Sequence, residues 1–570
     1  MEIIRGAGSV LYGSNAYTGV INIITKTNQE NTEIKATARY GSFGTWQGTL
    51  LVAKRIGKFN IQAAWQTEKS EGWNWQTRGE TDMKLVNGKE TVVNPPKSIK
   101  MAYESQTYWI KAEYRGFKIQ SFGVSRINNN MNAGGGSWGN PIYSGSFNSN
   151  YYSDLSYQKQ WKEKWDFQLN LNHSYGIRQN LIESKTNPST NDVMYYAWLA
   201  ESSLRYQLTT KVSILGGGTT IYMFDNVLSA SRLKDGSAFN VYGTKTNLTP
   251  FSQVDNESET WYTGYFQLDY QPFPFLKIDM GGQLNKTSAP KANFVPRLNF
   301  VFNHKEKFFV KLLYGEAFRS PSLQERYNSY RMIHSSFPAT LIGGGENIVP
   351  EKIRTTEIQV AYKGKIFQLS TTYFNSHQTD LLARSLPKDS LVVATAGNIG
   401  QKLASPKQIN NGEFDSQGLE LEGRITFFKK FYFTTSFSWL KIGIANDTKT
   451  QLTLGMPNTM LKTGLIYEEP KLGFTAGIFN SYFGEGDDIN STYKEANPKA
   501  QAYNNLSLNL NWNMKKLYSG STSKSDVLLN IYVTNLLDEQ IYYPEYSRRI
   551  LNSLPGRAGR AFYVSMKVGF

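Results

Sequence analysis

The sequence predicts an all-β fold: a transmembrane antiparallel β-barrel of about 22 strands. Three observations carry that expectation. Apolar and polar residues alternate strictly over many short stretches, so one side of each strand meets oil and the other water. Ten short turns, mostly bearing Lys or Pro, alternate with eleven longer loops rich in Asn, Ser and Gly, enough to join 22 strands. Tyr and Trp gather near the strand ends, as interfacial girdles do, at Trp46, Trp65, Trp73, Trp75, Trp161, Trp165, Tyr542 and Tyr543.

Composition agrees. Aromatics reach 14%, with 35 Tyr, yet mean hydropathy is only −0.45 and no 18-residue apolar run occurs. That excludes helical spans but not barrel strands, whose two faces average out as hydrophilic. Zero cysteines exclude a disulfide scaffold and any thiolate site. The charge of +16 suits attraction to anions such as lipopolysaccharide phosphates or an anionic ligand; a Lys-rich solvated surface explains it equally well. No basic block of nucleic-acid type stands out.

In chain order, residues 1–27 are glycine-punctuated and end in the apolar, β-prone run Val20 to Ile24. They lack the marks of a leader: no charged flank before an apolar core and no small-residue cleavage site. Ile34 to Tyr40 alternates as a first barrel strand. Turns then recur near Gly57, Gly116, Glu163, Thr210, Pro274, Lys305, Gly364, Lys429, Pro470 and Gly520. Opposite them lie loops such as 128–150 and 320–350. Late in the chain, Leu506, Leu508, Leu510 and Trp512 oppose Ser507, Asn509 and Asn511. The final strand puts Phe562, Val564, Met566, Val568 and Phe570 on one face. Strands of roughly 9–11 residues cross a bilayer when tilted, and a barrel of this size holds a plugged lumen rather than an open pore.

With a barrel argued, the opening stretch resembles the closing segment of the plug domain of TonB-dependent outer-membrane receptors. Glu2, Arg5, Gly6, Leu11, Tyr12, Gly13, Gly19, Val20, Ile21, Asn22, Ile23, Thr25 and Lys26 match that pattern in order, with Ala7 and Thr18 departing from it. "EAFRSPSLQERY" (316–327), "NIVPEK" (347–352), Gly418 with Glu420, "VTNLLDEQIYY" (533–543) and the closing "LPGRAGRAFYVSMKVGF" are similar to further family segments. The resemblance covers the whole chain and implies a residual plug segment at 1–30 and a transmembrane β-barrel at 31–570. Signal peptide, TonB box and most of the plug are not in the sequence, so Met1 reads as an internal methionine of a longer receptor or the start of a truncated gene.

The resemblance also implies site residues. Arg5 is expected against the barrel wall, paired with Glu357 and Glu420, because ion pairs in a wet lumen orient a plug at modest net energy; capping of a turn by Arg5 is the alternative. His334 lies where haem receptors of the family carry an axial ligand, and imidazole suits iron; a lone loop histidine is more often a solvated bystander. Arg319, Arg326, Tyr327, Tyr330 and Arg331 suit an anionic ferric siderophore through charge-assisted hydrogen bonds. Trp138 either stacks on ligand or anchors its loop. Phe570 closes the strand that barrel-assembly machinery reads.

Enzyme signals are poor. "GGSWG" at 135–139 lacks the strand–turn–helix context of a nucleophile elbow, and "GAGSVLYG" is neither a dinucleotide fingerprint nor a P-loop. The expected function is therefore TonB-dependent import of a scarce nutrient, a ferric siderophore or haem, across the Gram-negative outer membrane. No resident cofactor is expected, and the partners are the TonB complex, outer-membrane lipid and lipopolysaccharide, barrel-assembly machinery and a small ligand. A passive pore or surface-binding barrel is the alternative.

Overall fold

The computed structural model describes most of residues 2–25 and 32–569. The segments 9–13, 26–31, 77–82, 87–88, 93–97, 130–140, 185–188, 233–237, 240–244, 247–250, 289–291, 335–336, 385–390, 394–401, 405–407, 445–456, 487–499, 517–525 and 544–555, with residues 1 and 570 and some isolated positions, lie outside the description.

Twenty-two strands form one closed antiparallel barrel, as the alternation predicts. Closure comes from Thr32–Gly41, which pairs with Thr45–Ile56 on one side and Ala561–Gly569 on the other, Arg39 facing Gln47 and Ser565. Closing the sheet removes its edges, so every spanning backbone group has a partner in a medium that offers none.

The period of two places the faces. Ile34, Tyr40, Phe562, Val564 and Met566 are exposed on the outer wall, while Arg39, Ser565 and Lys567 share the opposite face. Inside, the polar face bonds to itself: Asn530 Nδ2 donates to Asn509 Oδ1 (2.7 Å) and to Asn511 Oδ1 (2.9 Å) across two strands. The usual order of a soluble protein is inverted, with apolar surface outward and polar ladders inward.

Short hairpin turns occupy one rim. At Lys162–Glu163, Lys305–Glu306 and Phe428–Lys429, two successive residues of a three-residue connection take positive φ, a turn conformation that matches the twist of the flanking strands. The other rim carries the long loops. Strands are not uniform: they run from 9 residues (Asp526–Thr534) to 23 (Phe251–Phe273), and the wall from Pro141–Trp161 to Phe251–Phe273 stands well beyond a bilayer's needs. The expected 9–11 residues hold only where loops do not extend the ladder. Trp46 and Trp65 face outward, and Trp161 stacks on Trp165 with centroids 6.0 Å apart beside a short turn. Trp73 and Tyr542 line a cavity at the loop rim instead of a girdle, beyond the ends of the strands that precede them.

Among the described residues the α-helical turn is Leu323–Tyr327, on the loop after Phe308–Arg319. Ser322 caps it: its side chain accepts from the Glu325 amide while Glu325 reaches back to the Ser322 amide. Beneath it Val193, Val227 and Val254 form a small apolar knot with Tyr195 and Tyr327.

Candidate functional site

Two structures meet inside the mouth of the barrel: an N-terminal hairpin and the wall around the capped turn. Glu2–Arg5 pairs antiparallel with Gly19–Asn22, and the Gly8 amide donates to Ala16 O (3.0 Å). The β-prone residues Ile3, Ile4, Val20 and Ile21 favour this ribbon, and Gly6 turns the chain with φ +72°. A Cβ at Gly6 would stand 2.0 Å from Glu357 Oε1, so only glycine admits this contact.

Polar contacts among the described residues tie the hairpin to the wall. Tyr17 donates its hydroxyl to Lys352 O (3.0 Å), with Gln378 Oε1 an alternative acceptor at 3.2 Å. The Ser320 amide donates to Ser14 Oγ (3.3 Å). Burial, and then the nearby Glu351 carboxylate, push the Tyr17 phenol above its ordinary range. Ser14 also borders a lumen cavity of about 270 Å³ lined by Glu201, Tyr265 and Asn285. A larger one, about 1040 Å³, separates Asn22–Thr25 from Trp109, Phe122 and Tyr152 on the opposite wall.

The wall segment is locked by charge. Arg319 holds Glu325 with both terminal nitrogens at 3.1 Å and bonds Glu351 through Nε; Glu351 in turn accepts the Leu382 amide (2.8 Å). Arg326 sits 3.2 Å from Glu259, both side chains almost wholly buried at 3% and 2% exposure. Glu259 also accepts from Trp261 Nε1 (2.9 Å) and the Tyr327 hydroxyl (3.4 Å).

The expected site residues therefore divide. Arg319 and Arg326 do not stand free for an anion; carboxylates from Glu351–Lys363 and Phe251–Phe273 already face them. Tyr327 is spent on Glu259. Tyr330, Arg331 and His334 fall on the hairpin Ser329–His334/Phe337–Ile342 at the rim, their side chains outside the description, as is that of Arg5. Trp138 and Phe570 lie outside the described residues. Glu357 meets Gly6, next to Arg5. Glu420 lies on the same wall face two strands away, since Thr372 pairs with both Gln359 and Glu420.

Sequence reasoning missed Tyr17, Ser14 and Glu259 as site residues, and a second cluster at the barrel seam. There Arg39 Nη2 (3.1 Å) and the Tyr103 hydroxyl (2.6 Å) share Glu68 Oε1, Arg126 lies 4.3 Å over Tyr103, and Arg39 lies 5.1 Å over Tyr563. Above it opens a cavity of about 700 Å³ lined by Phe43, Trp73, Tyr542, Glu71, Lys100 and Arg557. Arg39, Glu68 and Tyr103 come from three strands of one run of consecutive hairpins, so strand register unites them, and barrel closure adds Tyr563.

Residues 99–536 match the family model of the TonB dependent receptor-like β-barrel. The chain is 21% identical over 640 residues to a probable TonB-dependent siderophore receptor, PirA, of Acinetobacter baumannii, covering all of this chain and 79% of that protein. It is 20% identical over 587 residues to an iron-regulated outer membrane virulence protein of Vibrio cholerae, again over all of this chain and 79% of the relative. A solved ferric enterobactin receptor, PfeA, of Pseudomonas aeruginosa superposes with a TM-score of 0.75 at 12% identity, over all of this chain and 84% of the other. A barrel of this strand number, with its family matched over most of the chain, makes this protein an outer-membrane β-barrel belonging to the TonB-dependent receptors, a family of receptors and transporters rather than enzymes.

Proposed function

We propose that the protein imports a bulky, scarce iron chelate, residues 1–30 being the end of a plug that TonB-transmitted force displaces. The observation that carries this reading is the way the hairpin is held: among the described residues, neutral contacts through the Tyr17 hydroxyl, Ser14 and Gly6 meet a wall braced by the buried pair of Arg326 and Glu259. Such a joint is specific in register yet weak in sum, since each hydrogen bond is worth about 0.5–1.5 kcal/mol net. A force-released element needs that combination, and a permanent core does not.

The ligand class is a ferric siderophore, in keeping with the names of the relatives. With Arg319 and Arg326 committed to carboxylates, recognition falls to the rim: Tyr330, Arg331 and His334 on their hairpin, Trp138 in its loop, and the aromatic and basic cavity at the seam. Arg5 pairs with Glu357 and Glu420 in this reading. The last strand, ending at Phe570, addresses the barrel-assembly machinery, and outer-leaflet lipopolysaccharide surrounds the loop rim. Haem remains the second ligand, on His334.

The test is uptake. The chain, preceded by an export signal and by the TonB box and plug start of a TonB-dependent receptor, is expressed in a receptor-deficient Gram-negative strain and given radiolabelled ferric siderophore or haem, with and without functional TonB. TonB-dependent accumulation supports the reading. Entry that ignores TonB, or leakage of unrelated large solutes, favours a passive pore.

A further inference from the structure

The short-turn rim carries a feature that import does not use. Four adjacent hairpins present lysines at their tips: Lys305 and Lys307, Lys363 and Lys365, Lys429, and Lys471, all exposed. Glu306 and Glu468 lie on the same arc, and Glu469 is taken by Lys430. Among the described residues no carboxylate pairs with those six lysines.

The same tips expose large apolar side chains. Phe428 is 85% exposed and Ile366 67%, with Leu472 also open. Phe428 and Lys429 both take positive φ, at 51° and 59°. A bulky aromatic rarely adopts that conformation, and glycine or asparagine would serve the turn at lower cost. Strain held at such a position points to a use for the side chain. Just above the tips the outward faces of the strands carry Phe308, Tyr362 and Phe367, an aromatic band at headgroup depth.

We propose that this arc binds the anionic phospholipid of the inner leaflet, lysine ammonium groups meeting headgroup phosphates while Ile366, Phe428 and Leu472 pack among the headgroups. Short turns face the periplasm, so the leaflet they meet is glycerophospholipid. Cationic heads on apolar stems beside inserted aromatics are the composition of a lipid interface. Protein interfaces are depleted in lysine, which weighs against a soluble acidic partner. The arc also gives part of the +16 charge a place and a role.

The full chain is placed in nanodiscs of equal phosphatidylglycerol and phosphatidylcholine, and the lipids it retains are counted by native mass spectrometry. Retention should favour phosphatidylglycerol roughly fivefold, the factor that one well-placed lysine supplies at an anionic surface. Changing the six lysines to Gln should return retention to the bulk ratio, and changing them to Arg should keep the preference. Heat-modifiable gel mobility confirms that each variant is folded. No preference in the wild type, or an undiminished one in the Gln variant, overturns the proposal, and a soluble partner would give that result. Because the chain has no cysteine, Phe428→Cys can carry a single polarity-sensitive dye. Its emission should shift blue in phosphatidylglycerol vesicles; water-like emission there refutes insertion.

Discussion

Replacing Glu259 by Gln should unfasten the rim loop without unfolding the barrel. Arg326 and Glu259 are almost completely buried and 3.2 Å apart, yet Arg326 Nε and Nη2 find no acceptor with hydrogen-bond geometry among the described groups. Charge alone therefore holds the guanidinium, and removing the carboxylate strands it. Breaking a buried pair from one side costs about 3–5 kcal/mol. The barrel's ladders do not depend on it, so the loss should be local. The amides to watch are Arg326, bonded to Ser322 O, Asn328 to Gln324 O, and Gly344 to Asn328 O. Their hydrogen-exchange protection should fall about a hundredfold to a few thousandfold, at 1.4 kcal/mol per factor of ten. Combining Glu259→Gln with Arg326→Met removes both charges and should recover most of that protection, since apolar replacement of a whole buried pair is often neutral. Unchanged exchange in the single variant, or a double variant as open as the single one, would refute the reasoning.

Three further outcomes concern the hairpin. Tyr17→Phe deletes the donor to Lys352 O and Gln378 and should weaken docking by about 1 kcal/mol, seen as faster exchange at the Gly8 amide. Docking should also hold up to pH near 10 and weaken above it, followed by the same exchange: the released tyrosine ionises at its ordinary pKa of 10.0, while the docked phenol, raised by burial and Glu351, stays protonated to higher pH. Gly6→Ala meets both a left-handed φ and the Glu357 oxygen; it should cost more than about 1–2 kcal/mol, and adding Glu357→Ala should restore only the part due to the clash. At the seam, Arg557→Ala should raise the Kd for an anionic ferric chelate, measured by tryptophan quenching, and leave the heat-modifiable mobility of the barrel unchanged.

The barrel was legible because its rule is local. Each strand repeats period two, and the exposed Phe562, Val564 and Met566 stand where that period puts them. Strand length was less legible, since nothing in residues 141–273 marks where the membrane ends and the ladder continues. The site was legible only where a motif covered it. Arg319 and Arg326 read as anion-facing because a sequence displays a charge and hides its partner. Glu351 comes to Arg319 from the next strand, beyond a long loop, and Glu259 comes to Arg326 from a strand well upstream. Tyr17 belongs to a glycine-rich stretch whose spacing gives no sign that its hydroxyl reaches Lys352.

These misreadings share one cause, and it bears on how the receptor works. A wall that must let go of the hairpin cannot flex each time it does so, because the strand register would slip with it. The buried pair of Arg326 with Glu259 and the bonds of Arg319 to Glu325 and Glu351 put the strong interactions within the wall, among elements that stay together. The weak ones, at Tyr17, Ser14 and Gly6, lie across the joint. If import proceeds as proposed, the joint is the part that gives under load, and Arg319 and Arg326 keep the frame fixed while it does.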